Sequence, residues 1–209
     1  MGIRFHVRGG GQPPDRGTVA IDGGPVLNVG GAKAEGEVVW HVLESPPPAG
    51  IVGKPARLEL DRERRVALMR HHTVLHVLNT IALRDYDGWI TGAQIGVDYS
   101  RIDFKFDAFS PLLLPGLERK VKDVLAANRS LKSYYLAEAE FRARPDLLRT
   151  LEVQPPVVDG RVRVVEIEGF DAQACGGTHV RTTADVGSFS IFRTENKGRI
   201  NKRLYVRLS

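Results

Sequence analysis

Between residues 62 and 83 apolar positions recur at three- and four-residue spacings, Val66, Met69, Val74, Leu78 and Ile81 among them, with no Gly or Pro to interrupt them. That period predicts an α-helix of about six turns with one stripe on a core, and Asp61 just ahead of it is a suitable N-cap. Residues 1–57 carry a different pattern. Short apolar stretches at 18–21 and 38–43 alternate with turn signals such as Asp22-Gly23-Gly24, which predicts short strands, and 56–60 is one more strand closing the unit. The run Ser45-Pro46-Pro47-Pro48-Ala49-Gly50 is a turn or linker. Beyond Gly88, alternation over 90–106 with β-branched and aromatic residues predicts a hairpin turning around Asp98-Tyr99-Ser100-Arg101. Residues 117–128 predict a second helix, 136–142 part of a third, and 161–168, 186–192 and 203–208 strands.

Helix, strands, helices, strands in that order make an α+β fold, with helices packed on an antiparallel sheet. The expected division is a small β-rich, barrel-like, glycine-rich domain over 1–57 and a main domain over 58–209. At 209 residues, 42% hydrophobic and 26% charged, the composition is that of an ordinary globular protein with material for a real core. No apolar run reaches the roughly 18 residues of a membrane span, and MGIRFHVRGGGQ lacks the apolar centre of a signal peptide, so a cytoplasmic protein with no membrane partner is expected. The net charge of +5 permits a polyanionic partner. The single cysteine excludes an internal disulfide, which leaves Cys175 as a buried small hydrophobe, a reactive thiol or a metal ligand.

His72 and His76 stand four apart on the predicted helix, on one face and one turn apart, where they can share one ion; alone, the spacing fits two ordinary helix histidines as well. His71, five residues from His76, has poorer geometry and is left out of the set. In Cys175-Gly176-Gly177-Thr178-His179 a thiolate donor and an imidazole flank a two-glycine turn that lets both point inward, and sulfur with imidazole suits Zn²⁺.

Together with Gly9-Gly10-Gly11-Gln12-Pro13, Arg101-Ile102-Asp103-Phe104 and the tail Lys197-Gly198-Arg199-Ile200-Asn201, these motifs resemble the alanyl-tRNA editing family, which includes the editing domain of alanyl-tRNA synthetase and its free-standing AlaX-type relatives. The resemblance spans nearly the whole chain. It implies a zinc-dependent ester hydrolase that deacylates tRNA(Ala) mischarged with serine or glycine and spares alanyl-tRNA. One Zn²⁺ would be held by His72, His76, Cys175 and His179. With no synthetase core in the sequence, hydrolysis rather than aminoacylation is expected. Relatives of this size carry an extra strand ahead of the glycine motif, and only eight residues precede Gly9, so the small domain is expected to be incomplete or rebuilt.

Four protein donors fill a tetrahedral shell, as at a structural ion, whereas a catalytic ion keeps an open position. Catalysis therefore requires one donor to be displaced or the shell to expand, and a zinc-stabilised RNA-binding module without catalysis is the alternative. A site that discriminates serine from alanine must hydrogen-bond the extra hydroxyl, since an apolar pocket rejects it poorly. Thr73 and Thr178, each beside a candidate ligand, and Gln94 are the candidates; relatives often carry Ser or Thr where Ala93 stands. Gly9, Gly10, Gly11 and Gln12 form either a tight turn or a wall that lies against the zinc pocket or the terminal adenosine. Lys197, Arg199, Lys202, Arg203 and Arg207 are candidates for holding phosphates, with Arg62, Arg64 and Arg65 as a second patch. Of these, Arg65 lies two turns from His72 on the same helix face.

Overall fold

A computed structural model describes residues 5–36, 38–106, 110–149, 154–198 and 200–209. The predicted long helix is α1 (Arg62–Tyr86); it starts where the Asp61 carboxylate accepts from the Arg64 N–H at 3.0 Å and stops where Asp87 turns left-handed at φ 53°. An aspartate N-cap satisfies one of the orphan donors of the first turn, so the start is encoded locally. Every residue from His71 to Ala82 is buried. Within the expected stripe, Val74, Leu78 and Ile81 are fully buried and Met69 is packed beside them. Val66 departs from it at 50% exposure, while Leu68 is fully buried. Two residues are about 200° of helix, so the first turns can bury only one of those sides.

Among the described residues twelve strands form three antiparallel sheets. The first holds β1 (Gly17–Ile21), β2 (Val26–Glu35), β3 (Val38–Leu43) and β4 (Ala56–Leu60) in the order β3-β2-β1-β4. β4 pairs with β1 from Ala56 to Leu60, so the strand that spans residue 57 belongs by hydrogen bonding to this sheet. The hairpin predicted over 90–106 is β5 (Trp89–Gln94) and β6 (Ser100–Lys105), and it lies in the sheet β11-β12-β6-β5 with β11 (Phe189–Asn196) and β12 (Asn201–Leu208). The third sheet is β10-β9-β7, made of β7 (Leu131–Ala137), β9 (Arg161–Ile167) and β10 (Asp171–Ala174), with β8 (Val157–Val158) on β9.

The main core forms where α1 meets α2 (Leu114–Ala126) and the inner face of the β11-β12-β6-β5 sheet: Leu68, Leu78 and Ile81 pack with Leu117, Val121, Ile102, Phe104, Leu204 and Val206. Burying apolar surface from two layers at once is the stable solution for a helix whose sides are all covered. Several predicted boundaries shift, and the helix expected over 117–128 is α2, which starts three residues earlier and ends at Ala126. Leu136 and Ala137, expected in a helix, close strand β7, and only α3 (Glu138–Arg142) is helical. The alternating burial of Tyr134 and Leu136, paired against β9, overrides the helical propensity of the run that follows. The strand expected from residue 186 begins at Phe189, because 183–186 form a 3₁₀ turn; Thr182 N–H donates to Asp185 at 3.0 Å there and Val186 is fully buried. Among the described residues no helix is long and apolar enough to cross a membrane.

Candidate metal centre

The fourth and fifth turns of α1 carry His72 and His76, whose ring centroids lie 5.0 Å apart. Cys175 and His179 come from the loop that leaves β10 and turns back over this helix. Cys175 Sγ lies 3.4 Å from His72 Nε2 and 3.4 Å from His179 Nε2, and the ligand atoms of all four residues lie within 4.8 Å of one another. The turn between Cys175 and His179 must be glycine, since a Cβ on Gly177 would sit 2.1 Å from His72 Cε1. Arg163 on β9 clasps the same turn: its Nη1 donates to the carbonyls of Cys175 at 2.8 Å and Gly177 at 2.7 Å.

Hydrogen bonds set which ring nitrogens face the cluster. Gln12, fully buried, accepts through Oε1 from His72 Nδ1 at 2.9 Å and from the Thr178 N–H at 3.0 Å, while its Nε2 donates to Thr178 Oγ1 at 2.8 Å. An amide oxygen only accepts, so His72 carries its proton on Nδ1 and turns the Nε2 lone pair inward. Thr73 Oγ1 lies 3.1 Å from His179 Nδ1 and accepts from the Val180 N–H at 3.3 Å. The Gly177 N–H donates to Cys175 Sγ at 3.3 Å. His76 differs, because its buried Nδ1 has no hydrogen-bond partner among the described residues.

The glycine motif is a tight turn that lies against the His72 ring. Gly9 and Gln12 exchange backbone hydrogen bonds of 3.2 and 3.0 Å, and Gly10 and Gly11 take left-handed φ values of 59° and 76° that a side chain would strain. Gly11 packs on β5, its carbonyl accepting from the Ile95 N–H at 2.9 Å, and a Cβ on Gly10 would touch the His72 ring at 3.6 Å.

The family model for the threonyl and alanyl tRNA synthetase second additional domain matches residues 162–205 of this chain. The alanyl-tRNA editing protein AlaX-M of Methanosarcina mazei is 32% identical over 210 aligned positions, covering 98% of this chain and 83% of its own length. The chain belongs to the AlaX-type family of alanyl-tRNA editing proteins. The AlaX-M protein of Methanosarcina acetivorans is likewise 32% identical, over 98% of this chain and 85% of its own. The alanine–tRNA ligase of Korarchaeum cryptofilum is 38% identical over 90% of this chain, which corresponds to 21% of the ligase.

In this AlaX-type chain the four donors, Gln12, Thr73, Thr178 and Gly10 come together; the other residues singled out in the sequence lie elsewhere. Gln94 is exposed at the end of β5 and accepts from Arg101 Nε at 2.9 Å. Arg65 pairs with the buried Asp15, its Nε donating at 2.8 Å, and so ties α1 to the segment after the glycine turn. On the β11–β12 hairpin Lys197 lies 3.2 Å from Glu195, Lys202 donates to the Gly198 carbonyl at 3.3 Å, and Arg203 makes bonds of 2.6 and 2.7 Å to Asp103. Arg199 lies outside the described residues. His71 stands apart from the four donors, next to Val97. Arg163 carries no sequence signal, because it sits in an alternating strand where a charge reads as a solvent-facing position. Gln12 stands out in the sequence with the glycine motif, but its bond to His72 does not.

Burial lowers His76 to about 4 and holds His72 and His179 well below the usual histidine value, so all three imidazoles are neutral and free to donate lone pairs at pH 7. Burial pushes the Cys175 thiol up to about 11. A thiolate in this place therefore needs a cation beside it. Replacing Gln12 with alanine frees the His72 ring and leaves its Nδ1–H unpaired, and the expected result is a loss of metal affinity of about 10- to 100-fold. Chelator competition measures it, and Gln94→Ala, remote from the ligands, should leave affinity unchanged.

Proposed function

We propose that this chain hydrolyses the ester of tRNA(Ala) mischarged with serine, and of tRNA(Ala) mischarged with glycine, at one zinc ion held by His72, His76, Cys175 and His179. The observation that carries this reading is the donor cluster itself, in a chain that belongs to an editing family. A thiolate about 2.3 Å and an imidazole about 2.0 Å from a tetrahedral zinc ion lie about 3.5 Å apart. The two sulfur–nitrogen separations of 3.4 Å fit that edge. When bound, zinc polarises an ester carbonyl and lowers the pKa of a water.

Four donors favour a closed, structural ion, and that is the second reading: an RNA-binding module without catalysis. The hydrogen bonds favour an opening at His76. Gln12 orients His72, Thr73 orients His179 and the Gly177 N–H holds Cys175, whereas His76 lacks such a partner for its buried Nδ1, so it is the donor that moves aside most readily. Thr178 is the group suited to meet the serine hydroxyl. It is half-buried beside His179, and accepting from Gln12 leaves its own O–H and one lone pair free. Thr73 is sealed in the core and positions His179 instead. Gln94, on the strand against which Gly11 packs, is assigned to the substrate side of the glycine turn, and Gly9, Gly10 and Gly11 offer backbone to the end of the RNA. Lys197, Arg199, Lys202 and Arg203 hold its phosphates, and Arg65 serves by fixing the glycine segment through Asp15.

The test is deacylation of tRNA(Ala) charged in turn with serine, glycine and alanine. Serine and glycine should be released and alanine retained, with release lost on chelation and restored by zinc. Metal-loaded protein that releases none of the three would leave the RNA-binding module standing.

A further inference from the structure

The outer face of the β11-β12-β6-β5 sheet carries a cluster that the metal centre does not use. Tyr99, Phe192 and Tyr205 form a triangle with each pair of ring centroids 6.1 Å apart. Arg207 lies 4.5 Å over the Phe192 ring and Arg193 lies 4.8 Å over the Tyr205 ring. Tyr99 is 49% and Phe192 42% exposed. Phe192 reaches this face by alternation with Ile191, which packs on the core, and the register of β11 against β12 then shifts between Ile191 and Arg193, a bulge that brings Arg193 to the same side as Phe192. Leu204 and Val206 on β12 and Ile102 and Phe104 on β6 face the core, so by strand alternation Arg203, Tyr205 and Arg207 share the outer face with Arg101, Asp103 and Lys105. Arg193 joins the same face from the bulge.

Exposed rings cost hydrophobic free energy, and guanidinium groups stacked on them bring positive charge to the same patch. Five cations, Arg101, Lys105, Arg193, Arg203 and Arg207, share this face with Asp103 and Glu195. A partner that matches both features has flat aromatic faces on a polyanionic backbone. Unpaired nucleotides have both; a duplex hides its base faces, and an acidic protein surface lacks the stack. The geometry points to a stacking platform for unpaired RNA nucleotides, with Phe192 and Tyr205 as the ring contacts and Arg193 and Arg207 as phosphate and cation–π partners. The platform rests on the proposed tRNA reading for its natural substrate and extends it, since charge alone would hold phosphates anywhere on this surface.

The experiment uses the full chain loaded with metal and a labelled, unstructured oligoribonucleotide without an amino acid, read by fluorescence anisotropy across a salt series. Phe192→Ala and Tyr205→Ala should each weaken binding about 5- to 100-fold while leaving the salt slope unchanged; Arg207→Ala should reduce the slope by about one. Phe192→Tyr should restore binding, and Phe192→Leu, which keeps the apolar volume without the ring, should not. Parent-like binding by the alanine and leucine variants overturns the platform. Equal binding of the annealed duplex with the same losses overturns it too. So does a dimer in sedimentation that Phe192→Ala dissociates, which would make this face a contact between two copies of the chain. Seryl-tRNA release by the same preparations separates the two readings: release without ring-dependent binding removes the platform alone, and ring-dependent binding without release removes the hydrolase alone.

Discussion

Cys175→Ala is expected to yield a folded protein that no longer retains its metal, with affinity down on the order of a hundred- to a thousandfold and hydrolysis lost in parallel. The thiol supplies the one anionic donor of the set, and the other three are neutral imidazoles. Removing it leaves a dication in a buried site with no formal negative charge beside it, and burying unpaired charge is costly. Because burial holds the free thiol up at about 11 while the imidazoles are already deprotonated, metal uptake at pH 7 should release about one proton. Titration calorimetry in buffers of different ionisation enthalpy reads that proton, and metal analysis after dialysis reads occupancy. His71→Ala, on the neighbouring position but outside the cluster, should retain the metal. Full occupancy in both variants would mean the ligand set is misassigned.

The second large effect is acid sensitivity of the metal-free protein. His71 and His76 are lowered to about 4, and His72 and His179 lie well below the usual value, all chiefly by burial. A histidine whose folded pKa is depressed binds fewer protons than it does unfolded, so its contribution is present in full above about pH 6.5 and is lost as pH falls from there toward about 4. Each such group costs about 1.4 kcal/mol per pH unit in that window, so His71 and His76 alone remove on the order of 3 kcal/mol per unit. Cys175 is shifted the other way and adds nothing here, because its raised pKa matters only above about 9. In chelator, the urea midpoint should fall steeply between pH 6.5 and 4.5, and His71→Gln should shallow the slope by about one proton. A flat midpoint across that range would show these rings are not held neutral in the folded state.

Legibility in the sequence followed locality. Asp61 and the uninterrupted run behind it disclosed the start of α1, and the spacing of His72 and His76, one cysteine in a glycine turn and the motif resemblance together pointed to four side chains that come close in the fold. Signals that depend on distant partners stayed hidden. Gln12 was legible as part of the glycine motif, but its bonds to His72 and Thr178, far along the chain, have no local signature. Arg163 reads as a solvent-facing strand residue until the Cys175 turn arrives beneath it. Val66 fits the helical period yet faces out, because α1 is covered all round only from His71 onward. Strand β10, only four residues long and reading Asp-Ala-Gln-Ala, carries little β propensity and is held by its pairing with β9. For the glycine motif the sequence left a tight turn and a lining role as alternatives, and the turn that forms lies against the His72 ring.

The bond from Gln12 to His72 means that the glycine turn and any ion held by the cluster would act on one another through a shared imidazole. By linkage, whatever factor the seated turn adds to the affinity for metal, the metal returns to the seating of the turn. Starvation for the ion would therefore loosen the beginning of the chain, and anything that pulled that beginning away would let the ion go.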